Sequence, residues 1–207
     1  MDSLYVVMPA YNEEANIKET VKAWYRILDG KNDSSRLVVA DSGSKDATHE
    51  ILVALQRDYP KLEILENTDR QHGPKVIALY DYAIKNGADY IFQTDSDGQT
   101  NPAEFENFWN MRKDFDGIFG NRTKRGDGQA RAFVEHVVCF LLWLYFGVKI
   151  PDANAPFRLM KTEIVKKYLY KMVSDYNLPN IMMTTYFAYY NERHKFVPIS
   201  FTNRKGG

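Results

Sequence analysis

Apolar residues along this chain fall into short unbroken runs, separated by stretches in which they recur every three or four positions. That is the pattern of parallel strands joined by crossover helices. Leu4 to Met8 predicts a first strand, and Ile17, Val21, Trp24 and Leu28 mark one face of the helix that follows. Leu37 to Ala40 predicts a second strand, with Ile51, Leu52 and Leu55 turned inward from the next helix. Leu62 to Leu65 predicts a third, and Val76, Leu79, Tyr80 and Ala83 lie on a helix that stops at Asn86-Gly87, where glycine accepts a left-handed cap. Tyr90 to Gln93 predicts a fourth strand and Gly117 to Phe119 a fifth. No repeat, low-complexity stretch or Pro/Gly/Ser-rich linker interrupts this alternation, so residues 1–207 predict a single α/β domain.

In open α/β sheets a ligand lies at the carboxyl ends of the strands. The residues just past the predicted strands are Pro9-Ala10-Tyr11-Asn12-Glu13-Glu14, Asp41-Ser42-Gly43-Ser44-Lys45-Asp46, Glu66-Asn67 and Thr94-Asp95-Ser96-Asp97-Gly98-Gln99. Carboxylates gathered in one place raise each other's pKa unless a cation compensates. Asp95 and Asp97, two apart on a turn, can offer oxygens to one Mg²⁺ or Mn²⁺ that also takes oxygens from substrate phosphates, and Gln99 can add a neutral oxygen. A calcium-binding EF-hand loop is excluded, because Gln93 stands where the first acidic ligand belongs and a strand precedes it where a helix is required. Neither a G-x-G-x-x-G nor a G-x-x-x-x-G-K-[ST] segment follows the first strand, which removes the phosphate cradle of dinucleotide oxidoreductases and P-loop NTPases.

Composition sharpens the picture in two places. The 27 basic and 27 acidic residues cancel overall, yet residues 1–103 carry an excess of acids and residues 104–207 an equal excess of bases. An acidic first half suits a cation site and a basic second half suits an anionic ligand or surface. The single cysteine, Cys139, excludes a disulfide framework and a multi-cysteine zinc site and fits a reducing compartment. The chain starts directly in a strand-like stretch with no basic start or cleavage pattern, so the expected location is cytoplasmic.

Taken together, the strand-end segments resemble the family 2 glycosyltransferases with the GT-A fold. The matching segments are Val6 to Glu14, Val39 to Thr48, Gln93 to Gln99, and Pro198-Ile199-Ser200-Phe201 with Arg204 and Gly206, and they occur in the family's order. The nearest likeness is to the dolichyl- or polyprenyl-phosphate sugar synthases. The resemblance implies a Rossmann-like, mainly parallel sheet flanked by helices. It also implies a UDP- or GDP-linked sugar held by Pro9, Tyr11, Glu13, Asp41 and Asp95, with the metal on Asp95, Asp97 and Gln99. Physically, the Tyr11 ring can stack on a base, and an Asp41 carboxylate can accept from a ring N–H of uracil or guanine. Ser42 stands where family members usually carry a second acid, which leaves the nucleotide open.

The second half supplies candidates for the acceptor. Gly120 to Arg131 is basic and punctuated by glycine, and by the resemblance Arg122, Arg131 and Arg204 meet acceptor and donor phosphates, Arg204 from a closing loop. Asp152 to Arg158 resembles the family segment D-x-x-x-G-F-R with Pro156 in place of glycine. Asp152 either approaches the acceptor as a catalytic residue beside Asp97 or caps a turn. The apolar stretch from Phe133 to Val148 is too short to span a bilayer and is either a core helix or, as its basic flank favours, one lying at a membrane surface.

The implied reaction is single-step, inverting displacement at an anomeric carbon. A phosphate monoester is mostly ionised at neutral pH, whereas a hydroxyl acceptor needs a general base. Asn177 to Ile181, where sugar-to-sugar members usually carry an acid pair, has no carboxylate, which favours a lipid-phosphate acceptor at the cytoplasmic face of a membrane. The alternatives are a saccharide hydroxyl acceptor with Asp152 or Asp175 as base, and a nucleotide-sugar binder without turnover; nucleic acid is not an expected partner. The last residues, Lys205-Gly206-Gly207, fall inside what resembles the closing loop, so the expectation is that more chain follows and completes the acceptor site or supplies membrane helices.

Overall fold

The computed structural model describes residues 1–125 and 129–204, the side chains of Lys124, Arg125, Gln129 and Arg131 excepted. Its strands are β1 (Leu4–Ala10), β2 (Arg36–Asp41), β3 (Leu62–Leu65), β4 (Tyr90–Thr94), β5 (Gly117–Arg125), β6 (Phe157–Lys161) and β7 (His194–Phe201). They form one sheet in the order β3-β2-β1-β4-β6-β5-β7. β1 pairs in parallel with both β2 and β4, β2 with β3, and β5 with β7, while β6 runs antiparallel to both its neighbours. The helices are α1 (Ile17–Tyr25), α2 (Thr48–Gln56), α3 (His72–Lys85), α4 (Phe105–Met111), α5 (Gln129–Phe146), α6 (Thr162–Leu169) and α7 (Pro179–Tyr189).

β1, β2 and β4 are buried on both faces because both are covered, whereas β3 at the sheet edge is only partly buried and carries Glu63. Leu4, Val6 and Met8 of β1 pack with Val21 and Trp24 of α1 and Leu52 of α2, whereas Tyr5 and Val7 pack with Val76, Leu79 and Tyr80 of α3 and with residues of α6 and α7. The alternation with period two thus feeds two cores, one on each side of the sheet. Trp24 is sealed in the first, its ring 5.2 Å from Phe92 and 5.8 Å from Phe157. Burying a side chain of that size contributes on the order of 2–3 kcal/mol.

The structure extends the sequence expectations in three ways. β5 runs on through the basic stretch to Arg125, with an irregularity between Arg122 and Lys124 in its pairing to β7. β6, which contains the end of the D-x-x-x-G-F-R-like segment, is a strand inserted antiparallel between β4 and β5. β7 closes the sheet edge and carries the chain back to the carboxyl ends of β1 and β4.

Candidate active site

A cavity of about 250 Å³ opens at the carboxyl ends of β1 and β4. Its walls are Pro9, Ala10, Tyr11 and Glu13 after β1, Asp95, Ser96 and Asp97 after β4, Arg70, His72 and Lys75 around the start of α3, and Arg204 beyond β7.

Hydrogen bonds lock these loops to one another. The Ser96 hydroxyl, between the two aspartates, donates to the Pro9 carbonyl at 2.8 Å. The buried Lys75 ammonium donates to the next carbonyl, that of Ala10, at 2.5 Å and lies 5.2 Å from the Tyr11 ring centre. Burial pulls the Lys75 pKa down, against the opposing pull of Asp41 and Asp69. The Tyr11 ring itself is 42% exposed, a free face for stacking. Asn12, at a left-handed φ of 54°, donates its N–H to the Ser44 hydroxyl and accepts the Lys45 N–H on its side chain, so the loops after β1 and β2 hold each other.

The turn after β4 aims its two carboxylates. Gly98, at φ 72°, permits a reversal that other residues resist, and Asp97 accepts the Gln99 N–H at 3.0 Å. Burial, reinforced by the nearby charges of Asp95 and Glu13, pushes the Asp97 carboxyl up to about 6. Asp95 faces His72 Nε2 at 3.5 Å; partial desolvation opposes the charged imidazole, but the Asp95 carboxylate outweighs it and holds His72 above its usual range. Glu13 is buried and accepts from Arg204 at 2.6 Å and from Asn16 at 3.1 Å.

Arg204 reaches the cavity because Gln99 draws the chain in. The Gln99 amide donates to the Thr202 carbonyl at 2.6 Å, and the Thr202 N–H donates back to the Gln99 carbonyl at 3.0 Å. Of the predicted site residues, the structure therefore brings Pro9, Tyr11, Glu13, Asp95, Asp97 and Arg204 around one cavity and places Gln99 behind it as a tether. Asp41 sits at the end of β2 outside the cavity lining, buried, its carboxylate accepting from Ser44 at 2.5 Å and facing His49 at 3.2 Å.

Arg122 and Asp152 are brought to each other. Two guanidinium nitrogens of Arg122 meet the two Asp152 oxygens at 2.8 Å each, the Arg122 N–H adds a third bond at 3.1 Å, and Glu135 of α5 stands 3.5 Å from the same guanidinium. The side chain of Arg131 lies outside the described residues, as does Gly206. Sequence reasoning missed Arg70, His72 and Lys75. Their signal was present as three cationic positions within six residues after the third strand, hidden because they run straight into the amphipathic pattern of α3. Gly73 of that segment is required by packing: a Cβ there would lie 2.4 Å from the Tyr176 carbonyl oxygen.

The architecture and site define an α/β protein with an acidic, cation-rimmed cavity where a sheet presents its carboxyl edge. The chain belongs to glycosyl transferase family 2, whose model matches residues 5–169, and its sheet is the GT-A fold. The undecaprenyl-phosphate 4-deoxy-4-formamido-L-arabinose transferase of Shewanella sediminis is 25% identical over 172 residues, covering 82% of this chain and 51% of its own length. The enzyme of the same name from Pseudomonas aeruginosa is 24% identical over 170 residues, covering 82% and 50%. The chain thus spans about half the length of the curated relatives it matches. Among solved structures, glucosyl-3-phosphoglycerate synthase from Mycobacterium tuberculosis, crystallised with Mn²⁺, uridine diphosphate and phosphoglyceric acid, superposes with a TM-score of 0.73 at 15% identity, covering 100% of this chain and 72% of that one. β7 and Arg204 lie beyond the stretch matched by the family model.

Proposed function

We propose that this chain is the catalytic domain of a metal-dependent, inverting glycosyltransferase that moves a sugar from a nucleoside diphosphate to a polyprenyl phosphate. The observation that carries the reading is the pair Asp95 and Asp97, held with Glu13 at one cavity, where burial and the neighbouring carboxylates push Asp97 up to about 6. Hard carboxylate oxygens suit Mg²⁺ or Mn²⁺. In this proposal water and donor phosphates would complete the shell of an ion held by the two carboxylates. Such an ion would supply neutralisation of the charge that gathers on the departing nucleoside diphosphate.

In this reading Tyr11 stacks on the base, Pro9 bounds its pocket, Asp41 meets the base only if its bonds to Ser44 and His49 rearrange, and Arg204 exchanges part of its bond with Glu13 for a diphosphate oxygen. Arg70, His72 and Lys75 line the opposite wall and offset the anionic donor. The relatives named for undecaprenyl-phosphate transfer support a lipid phosphate as acceptor. So does the placement of the alternative bases: Asp152 is engaged by Arg122, and Asp175 lines a separate groove beside α3.

Membrane contact would fall to α5, whose Phe133, Phe140, Trp143 and Tyr145 are about half or more exposed, and among the described residues no helix is long and apolar enough to cross a bilayer. The test is incubation with radiolabelled UDP- and GDP-sugars, polyprenyl phosphate and Mn²⁺. Label passing into the organic phase supports the proposal, and label found only on water-soluble saccharide rejects the lipid acceptor.

A further inference from the structure

Arg158 of β6 is 1% exposed, yet its hydrogen bonds run to neutral acceptors. Nε and Nη2 donate to the Ala155 carbonyl at 3.2 and 2.9 Å, Nη2 to the Ala153 carbonyl at 3.4 Å, and Nη1 to the Asn180 carbonyl at 2.9 Å and Thr184 Oγ1 at 3.3 Å. Thr184 sits within 3.0 Å of the same Ala153 carbonyl and 2.9 Å of the Asn180 carbonyl. Taking a cation out of water is expensive, and an apolar side chain of similar volume often packs a core as well or better. What the guanidinium adds is a rigid planar fork that holds carbonyls from two separate segments in fixed relation.

Those segments matter by position. Residues 153–155 follow Asp152, the partner of Arg122, and their N–H side is fixed from α5, where Glu135 accepts from Ala153 at 2.7 Å and Asn154 at 3.3 Å. Arg158 fixes the carbonyl side. In the sheet register Arg158 stands opposite Gln93 of β4, two residues before Asp95. Its side chain therefore ties the segment bearing Asp152 to the start of α7, while its backbone sits in the strand paired with β4, just ahead of the turn that bears the cavity carboxylates.

Resting on the function proposed above, we propose that Arg158 is a positioning residue for the acceptor side of the site: it sets the 152–155 segment, and through it the Arg122–Asp152 pair, relative to the Asp95–Asp97 turn. Arg158 touches no reacting atom in this account. A misplacement of about 1 Å between reacting groups can cost about 10²-fold in rate.

The experiment uses Arg158→Lys, which keeps the charge and loses the fork, and Thr184→Val, a milder change in the same network that keeps the measurement available if the first variant fails to fold. Four quantities are compared with the unaltered protein: thermal unfolding, donor affinity with Mn²⁺, acceptor KM and kcat with polyprenyl phosphate, and amide hydrogen exchange over residues 150–156. The expected result is folded protein, donor affinity within about twofold, transfer efficiency toward the acceptor down about tenfold or more, and faster exchange over 150–156 with β1 and β4 unchanged. Unaltered acceptor kinetics and exchange in the folded variants would overturn the proposal, as would donor affinity falling in step with transfer. Should the unaltered protein transfer sugar to no lipid phosphate, the functional reading fails, and the exchange measurement alone decides whether Arg158 sets this segment.

Discussion

The two halves of the sheet treat their carboxylates in opposite ways. At the carboxyl ends of β1 and β4, Asp95, Asp97 and Glu13 crowd one cavity, and Asp97 is pushed up to about 6. Around β5 and β6, acids and bases cancel within the protein: Asp152 grips Arg122, and Asp116 accepts from Lys161 at 2.8 Å and Arg193 at 3.0 Å and is held down to about 2. A carboxyl held up by burial and like charge, as Asp97 is, is a candidate for meeting a cation from outside, whereas Asp116, held down by two cations of the protein, is a pairing that holds shape. The net acid and base excesses of the two halves, read from the sequence, do not make this distinction.

Replacing Asp97 by Asn gives the largest expected effect. Removing one carboxylate from the proposed cation site should lower transfer by about 10²–10³-fold, equivalent to about 3–4 kcal/mol of transition-state stabilisation. Because the lost charge was repelled by Asp95 and Glu13, the metal-free variant should unfold at the same temperature as the parent or slightly higher. Transfer assays paired with thermal unfolding in chelator check both; a lower unfolding temperature would contradict the unmatched-charge account.

The mirror experiment is Asp152→Ala. It leaves the buried Arg122 cation with Glu135 at 3.5 Å as its remaining acid neighbour among the described residues, at a cost of about 3 kcal/mol. Denaturant unfolding reads this directly. Stability falling in one half and holding in the other is the signature of the comparison.

A smaller effect separates the halves by pH. The Asp116 carboxyl, depressed in the folded state, contributes stability that is present above about pH 4 and lost as pH falls through that point toward 2. With solvent around Arg193 the amount is about 1–2 kcal/mol. Asp116→Asn should flatten that part of the stability curve, and an unchanged acid limb would show that the pairing is not retained in solution.

What was legible in the sequence follows the same division. β1, β2 and β4 were readable because a strand buried on both faces writes itself as an unbroken apolar run, and the loops that follow β1 and β4 carry the cavity acids. β6 was not: the charges of Arg158 and Lys161 break the apolar run of Phe157-Arg158-Leu159-Met160-Lys161, and only the fold shows that Arg158 points into the core. The acidic turn was readable as chemistry, and Gln99 as a ligand-type oxygen; the bond that its amide nitrogen gives to the Thr202 carbonyl, across 103 residues, was not. Arg122 was readable as a cation suited to phosphate, but its pairing with acids 13 and 30 residues further on was not.

Ser96 tests the lock between the loops at a scale of about 1–2 kcal/mol. Its hydroxyl is the bond from the carboxylate turn to the Pro9 carbonyl, and Ser96→Ala leaves that buried carbonyl short of a donor. Donor affinity, measured by titration calorimetry with Mn²⁺, should weaken several-fold along with the modest loss in stability. Weakened stability with donor affinity intact would mean that the turn and the Tyr11 loop are positioned independently.

The smallest effect on stability is expected where the second half meets solvent. Phe140 and Trp143 lie 5.8 Å apart on the outer face of α5 and are about half exposed, so replacing both with Ser removes little buried area and should shift stability by less than about 0.5 kcal/mol each. If that face rests on a bilayer, the same double variant should lose most of its sedimentation with vesicles of zwitterionic and anionic lipid while keeping donor affinity unchanged. That outcome would complete the contrast with Leu142 on the same helix, which is buried against Val148 and Ile150 and whose truncation should cost the fold about 2 kcal/mol or more. Equal vesicle binding by the parent and the double variant would place the contact surface elsewhere and leave the exposed rings of α5 to another partner.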